Sequence, residues 1–169
     1  MRLQLASVLS RAERDLAKAA GLDALLTGVL ADLELPAASL NCRLTDPLEI
    51  RRLNRRFADQ DEVTDVLAFA AVAAEGDRGF QIPATETDFI GDIVISVATA
   101  ADQAELAGVD VATELRLLAV HGLLHLLGHD HHQPAPARRM TTATRRLLSL
   151  DASRRGTPAP KVPALQAHA

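Results

Sequence analysis

The sequence is poor in aromatic residues, cysteine and long apolar runs, and each shortage argues against a class of protein. Trp and Tyr are absent and only four Phe occur among 169 residues, so the chain lacks a row of aromatic platforms for stacking single-stranded bases. The single cysteine, Cys42, excludes an intrachain disulfide and is typical of a reducing compartment. No apolar run approaches the roughly 20 residues of a membrane span, and Ser7, Ser10 and Arg11 interrupt the apolar N-terminal stretch, unlike a secretory signal. We therefore expect a cytoplasmic protein with no membrane contact and no disulfide partner.

An excess of positive charge is also missing, since the formal net charge is −4. The total gives no general attraction to nucleic acid, but the distribution is uneven. Arg51, Arg52, Arg55 and Arg56 would share one face of a helix, because residues four apart are neighbours on a helix surface. Such a face is either simply solvated or binds phosphate groups.

Helix-capping residues and short apolar runs alternate along the chain. Capping residues predict helices that begin after Ser10, Asp46, Ser96 and Asp110. Further helices are predicted over 22–33 and 140–150. Alternating or β-branched runs predict strands over 39–45, 66–72 and 89–96.

This alternation predicts an α+β fold in a single domain, residues 1–150, with one mixed sheet of about four strands surrounded by helices. The length suits one domain with a sizeable core. Residues 151–169 are rich in Pro and Ala and are predicted to form a disordered C-terminal tail.

Five of the six histidines lie between His121 and His132. On a helix, His121 and His125 would lie one above the other. Gly128 can adopt the left-handed backbone that ends a helix, so that the chain turns back and presents His131. Three imidazoles around one ion with an open fourth position form the arrangement of a catalytic zinc site. The spacing therefore predicts a metal site at the end of a buried helix.

We predict His121, His125 and His131 as the ligands of one Zn²⁺ per chain, with His129 and His132 as bystanders. The preceding residues are apolar nearly all round, which indicates a buried helix. Buried imidazoles need polar partners, and a metal ion supplies them.

The spacing H-x3-H-x2-G-x2-H also occurs in metzincin proteases, which carry Glu directly after the first His as general base. Gly122 occupies that position here, so the catalytic residue is unknown and its role is expected to fall to a metal-bound water. Asp92 and Asp130 are candidates for orienting a ligand imidazole, and Glu114 shares the helix face of His121. Each acid has a structural alternative, as a turn, a cap or a loop partner.

Three blocks of the sequence resemble the YbeY family, the metal-dependent endoribonucleases of bacterial ribosomal RNA maturation. HGLLHLLGHDH contains the family's three metal histidines, LNRRFADQDEVTDVLAFA is similar to its second block, and GDIVIS to its third. The resemblance covers about residues 40–150. It implies an α+β fold, zinc held by His121, His125 and His131, and hydrolysis of single-stranded RNA. It also implies roles in small-subunit rRNA 3′-end maturation and ribosome quality control, with ribosomal RNA and the small ribosomal subunit as partners.

The chain departs from the family at Ala58, where an arginine that contacts substrate is usual. Arg55 and Arg56, one turn earlier, are the candidate RNA-binding residues in its place. The departure leaves an alternative, a zinc-stabilised ribosome- or RNA-binding module with little catalysis. A third alternative is a metal-dependent peptidase-like hydrolase, which Gly122 disfavours.

Overall fold

The computed structural model describes residues 2–5, 9–71, 88–129 and 134–160. These segments contain four strands: β1 (Arg2–Leu5), β2 (Ser39–Thr45), β3 (Val66–Ala70) and β4 (Phe89–Ser96). They also contain six helices: α1 (Arg11–Ala19), α2 (Leu22–Asp32), α3 (Pro47–Ala58), α4 (Val97–Ala107), α5 (Val111–Leu126) and α6 (Pro134–Arg155). The predicted ligand His131 lies outside the described residues.

The four strands form one mixed sheet in the order β1-β2-β4-β3. β1 pairs with β2 and β2 with β4 in parallel, whereas β3 pairs with β4 in the antiparallel sense and forms one edge. The expected α+β domain with one mixed sheet is confirmed. β2 and β4 have the predicted bounds, whereas β1 was not located from the sequence. Four residues carry too short a pattern to distinguish a strand from a loop.

Side chains at the helix starts explain where the helices begin. Ser10 and Glu13 form the predicted capping box of α1, with hydrogen bonds of 3.2 and 2.8 Å to each other's backbone N–H groups. The carboxylate of Asp46 accepts from the N–H groups of Leu48 and Glu49 at the start of α3. None of the helices in the described segments is long and apolar enough to cross a membrane.

The sheet presents an apolar face and a more polar face. Leu40, Cys42 and Leu44 of β2 are fully buried in the main core together with α2 and α5. Burial raises the pKa of the Cys42 thiol to about 12, so Cys42 is a neutral core residue. Because strand side chains alternate between faces, Asn41 and Arg43 lie on the opposite face, where α3 packs against β3 and β4.

The C-terminal helix corrects the predicted domain boundary at residue 150. α6 extends beyond the predicted 140–150 at both ends, and Asp151 is only 4% exposed. Asp151 forms ion pairs with the buried Arg116 of α5 and with Arg155. Residues 151–155 therefore belong to the packed domain, because a buried arginine needs this carboxylate as its counterion. Residues 161–169 of the predicted tail lie outside the described residues.

Candidate metal centre and its surroundings

α5 is the buried helix that carries His121 and His125. Asp110 caps its first turn by accepting a hydrogen bond of 2.8 Å from the N–H of Thr113. Most of its residues from Glu114 to Leu126 are buried, whereas the two histidines are only partly buried. The sequence thus builds a rigid apolar helix whose last two turns present two imidazoles together.

The two imidazoles point their Nε2 atoms at one place. Nε2 of His125 lies 3.2 Å from Nε2 of His121, and the ring planes are nearly perpendicular at 88°. Two nitrogens that bind one tetrahedral zinc ion at about 2.0–2.1 Å lie about 3.3 Å apart. The partial negative charge at the C-terminal end of a helix also favours a cation there. The donor atoms and their spacing therefore fit a shared zinc ion.

Gly128 ends α5 as the sequence predicts. Its φ of 80° is left-handed, its N–H donates to the carbonyl of His125, and the N–H of His129 donates to the carbonyl of Leu124. These two hydrogen bonds form a Schellman motif. The partly buried His129 has a lowered pKa because of desolvation and the charge of Arg139.

The third predicted ligand is not part of the described structure. His131, Asp130 and the bystander His132 lie outside the described residues. Within the described segments, no group of three or more His, Cys, Asp or Glu side chains is clustered as a metal site. The structure thus brings together two of the three predicted ligands and leaves the third as a prediction.

Gly122 lies at a close contact between α5 and the sheet. A Cβ added at this residue would lie 2.8 Å from Cγ2 of Ile93 and 3.3 Å from Cγ2 of Val66. A side chain as large as Glu would push the helix away from β3 and β4. The packing therefore excludes the general base that metzincins carry directly after the first histidine.

Asp92 does not lie beside the histidines. Ile93 points towards α5, and neighbouring strand residues point to opposite faces. The Asp92 carboxylate accepts a hydrogen bond of 2.8 Å from Nδ2 of Asn41 on the paired strand β2. β4 thus directs the Asp92 side chain to the face of the sheet opposite His121 and His125, where it links two strands. Its role in orienting a ligand imidazole stays a prediction.

A buried acidic group lies two turns before His121. Glu114 is 4% exposed, and its Oε2 has no hydrogen-bond partner among the described residues. Burial, followed by the nearby charge of Asp65, raises the pKa of Glu114 to about 7. Asp65 itself accepts hydrogen bonds from the N–H of Val66 and from Nε2 of Gln103. Sequence reasoning found Glu114 by its helix face but missed Gln103, because contacts between distant segments leave no local pattern.

The four arginines of α3 have different environments. Arg51 donates two hydrogen bonds to Asp61, and this contact lowers the pKa of the Asp61 carboxyl. Arg55 lies 4.0 Å from the same carboxylate. Arg52 lies 3.7 Å from Glu49. The guanidinium carbon of Arg56 lies 5.0 Å from the centre of the Phe57 ring. The predicted basic face is therefore partly neutralised by carboxylates, and its cationic part lies towards the C-terminal end of α3.

Phe57 and Ala58 form the end of this surface. Ala58 is the last residue of α3 and is exposed. Phe57, in the last turn of α3, is 58% exposed. The end of α3 therefore presents an aromatic ring to solvent.

The comparison with protein families gives one match over most of the chain. The family described as "Endoribonuclease YbeY" matches residues 11–150. This range includes β2 to β4, α1 to α5 and both described histidines of the candidate centre. It ends just before the residues of α6 that follow position 150.

Curated relatives are also called "Endoribonuclease YbeY". The protein from Gloeobacter violaceus is 50% identical over 112 residues, which cover 66% of this chain and 56% of that protein. The Myxococcus xanthus protein is 43% identical over 119 residues, covering 70% and 38% of the two chains. The Geobacter metallireducens protein is 39% identical over 124 residues, covering 72% and 79%. The chain thus spans less than two thirds of the first two relatives but most of the third.

A solved structure supports the fold. A solution structure of a protein from Thermotoga maritima superposes with a TM-score of 0.59 and covers 97% of this chain and 99% of its own. The sequence identity is 20%, so this likeness bears on the fold alone. The family match and the relatives together show that this chain belongs to the YbeY endoribonuclease family.

Proposed function

We propose that this protein is a zinc-dependent, single-strand-specific endoribonuclease of the cytoplasm. Its proposed roles are small-subunit rRNA 3′-end maturation and ribosome quality control, with ribosomal RNA and the small ribosomal subunit as partners. The observation that carries the proposal is the convergence of the His121 and His125 Nε2 atoms, 3.2 Å apart, in a chain of this family. The relatives' shared name, endoribonuclease, supports RNA as the substrate class.

In this proposal His121, His125 and His131 hold one zinc ion per chain. α5 fixes two of the imidazoles and ends at Gly128, whose backbone is left-handed; His131 is proposed to complete the centre from the segment that follows. When bound, the zinc ion supplies Lewis-acid chemistry at a phosphoryl oxygen and acidifies a water molecule. The apolar residues of α5 keep this end of the helix rigid, and rigid support holds ligands in a productive geometry.

The other proposed contributions come from side chains around the histidines. Asp130 is the favoured candidate for orienting a ligand imidazole, ahead of Asp92, whose side chain faces away from His121 and His125. Arg55 and Arg56 are proposed to bind the RNA backbone, since guanidinium groups match phosphate geometry. Their exposed position near the end of α3 supports this role. The peptidase alternative is disfavoured because the packing of Gly122 against Ile93 leaves no room for a glutamate.

The test combines metal analysis with cleavage of two RNA substrates. Wild-type protein, His125→Ala and His132→Ala are purified, and their zinc content is measured by mass spectrometry. Each is then incubated with a single-stranded rRNA fragment and with the same strand in a duplex. We expect wild type and His132→Ala to bind about one zinc ion and cut only the single strand. His125→Ala should lose both properties.

The possible results separate the proposal from its alternatives. Wild-type protein that binds zinc and single-stranded RNA but cuts neither substrate would favour the zinc-stabilised binding module. Full zinc occupancy and cleavage in His125→Ala would contradict the proposed centre. Zinc-dependent cleavage of a peptide library without RNA cleavage would favour the alternative of a metal-dependent peptidase-like hydrolase.

A further inference from the structure

Phe57 is an exposed aromatic ring in a chain that has few aromatic residues. The sequence contains four Phe and neither Trp nor Tyr. Phe57 nevertheless leaves 58% of its surface open to solvent in the last turn of α3. Exposure of a large ring removes the stabilisation that burial would give, so burial in the core does not explain why an aromatic residue occupies this position.

Two neighbours hold the Phe57 ring in place. The Phe69 ring of β3 meets it in an edge-to-face arrangement, with centroids 5.2 Å apart and planes inclined by 64°. The guanidinium carbon of Arg56 lies 5.0 Å from the ring centroid, within the range of a cation–π contact. A ring that is held before a ligand arrives loses little conformational entropy on binding.

The charges around the ring suit a polyanion. The side chains of Arg52 and Arg55 are 77% and 73% exposed. Arg56 forms no ion pair with another described residue and leaves its charge beside the ring. Asp61 offsets Arg51 and, more distantly, Arg55. The combination of an open aromatic face and arginines is the one that proteins use to bind single-stranded nucleic acid.

The ring lies beside the edge strand β3, whose opposite face meets the end of α5 that carries the two histidines. Phe69 pairs with Asp92, and a Cβ at the neighbouring Gly91 would lie 2.2 Å from the Phe69 carbonyl oxygen. The same point lies 2.9 Å from a methyl carbon of Leu126, the residue after His125. The edge strand β3 therefore connects the Phe57 side of the sheet with the end of α5.

We propose that Phe57 is a base-stacking residue for the single-stranded RNA substrate, with Arg55 and Arg56 holding the phosphates beside the stacked base. The inference rests on the proposed function and adds a substrate-positioning residue to it. Stacking on a base is tolerant of sequence, because every base presents a flat face. Phe57 would thereby hold an unpaired strand, whereas a duplex keeps its bases stacked on each other. The residue thus offers a physical basis for single-strand preference.

The absence of Trp and Tyr from the chain allows a direct test of stacking. In Phe57→Trp, fluorescence comes from that one indole, and a base that stacks on it quenches the emission. Leu106→Trp is the matched control, because Leu106 on α4 is 88% exposed and lies outside the proposed surface. Phe57→Leu keeps an apolar side chain but removes the aromatic face. The ligand is a 2′-O-methyl oligonucleotide that resists cleavage, beside an abasic strand of equal length and charge.

Binding is followed by fluorescence anisotropy of the labelled strand and, in parallel, by indole emission. We expect Phe57→Leu to bind the base-containing strand about 5 to 150 times more weakly than wild type, the range for loss of one stacked base. Phe57→Trp should retain affinity and lose emission saturably, with the Kd that anisotropy gives. The abasic strand should leave its emission unchanged, and Leu106→Trp should respond to neither strand. Thermal unfolding of each variant checks that the fold is retained.

The outcomes distinguish this inference from the proposed function. Wild-type affinity in Phe57→Leu, with zinc-dependent cleavage intact, would overturn the stacking role and leave the nuclease proposal standing. Weaker binding in Phe57→Leu without quenching in Phe57→Trp would also overturn stacking and indicate that the ring acts by supporting Phe69. If wild type bound no single-stranded RNA, both proposals would fail, and a protein partner would become the occupant to test at Phe57.

Discussion

Gly122 of α5 and Ile93 of β4 are in closer contact than any side chain at position 122 would allow. An ideal Cβ there would lie 2.8 Å from Cγ2 of Ile93, a distance at which the helix or the strand must shift. This contact sets the depth at which α5 lies on the sheet, and His121 directly precedes it in the chain. The position of the two imidazoles therefore depends on the lack of a side chain at Gly122.

Gly122→Ala is expected to destabilise the protein by about 1–3 kcal/mol, the usual effect of overpacking a core. The better helix propensity of Ala, about 1 kcal/mol, opposes this loss. Urea unfolding measures the net change. In the Ile93→Ala background, which removes the contacting methyl group, the same substitution should be much less harmful. An equal loss in both backgrounds would show that the Ile93 contact is not the cause.

Asp151→Ala is expected to lower the free energy of unfolding by about 3–5 kcal/mol, because it leaves the buried Arg116 without its counterion. Arg116 and Asp151 side chains are only 9% and 6% exposed. The control is Asp32→Ala, which breaks the more exposed pair with Arg154 and should change stability by less than about 1 kcal/mol. Truncation after Leu150 should be at least as harmful as Asp151→Ala. Similar unfolding midpoints for all three variants and wild type would contradict a structural role for Asp151.

Glu114→Gln is expected to remove a pH dependence of stability. Desolvation and then Asp65 raise the Glu114 pKa from 4.5 to about 7 in the folded protein, so the folded state binds this proton more tightly than the unfolded state. The free energy of unfolding of wild type should therefore fall as the pH rises from about 4.5 to about 7. Denaturant unfolding across this window, with a chelator present, should give a flatter profile for Glu114→Gln. The exposed control Glu105→Gln should keep the wild-type slope, and an unchanged slope in Glu114→Gln would rule out this group.

Zinc content is expected to depend on the three predicted ligands and not on the neighbouring His132. Replacing His121, His125 or His131 by Ala should each reduce zinc well below about one ion per chain, since a zinc site with two protein ligands is weak. His132→Ala should retain it. Mass spectrometry of the purified variants provides the measurement. Undiminished zinc in His131→Ala would require another residue as the third ligand.

Removal of Arg55 and Arg56 is expected to weaken RNA binding and its salt dependence. Each lost phosphate contact should reduce the slope of log affinity against log salt by up to about one unit. Arg51→Ala provides a control for the loss of one charge, because Arg51 already pairs with Asp61. Titrations of a single-stranded RNA at several salt concentrations measure both quantities. Equal slopes for Arg55→Ala, Arg56→Ala and wild type would mean that these arginines are only solvated.

Much of the fold follows from local patterns in the sequence. Residues close together in the chain determine the bounds of β2 and β4, the capping box of α1, the N-caps of α3 and α5, and the end of α5 at Gly128. Local hydrogen bonds and periodicity decide such features. The extent of α6 and the existence of β1 could not be predicted from local patterns. The part of α6 after residue 150 is held by an ion pair between Arg116 and Asp151, which are 35 residues apart. The strand β1 forms by pairing with β2.

In the candidate metal centre, too, some features follow from local sequence patterns and others from tertiary contacts. The sequence alone determined that His121 and His125 share a helix face, since their spacing matches one helical turn, and that the chain turns at Gly128. Only the tertiary structure decided that Asp92 lies on the other face of the sheet and that Gly122 must lack a side chain. It also decided that the charge of Asp65 acts on Glu114 and that Phe57 is exposed beside Phe69. The physical reason is that spacing along one element is a local property. The face of a sheet that receives a side chain, and the depth to which a helix packs on it, depend on which distant segments come into contact.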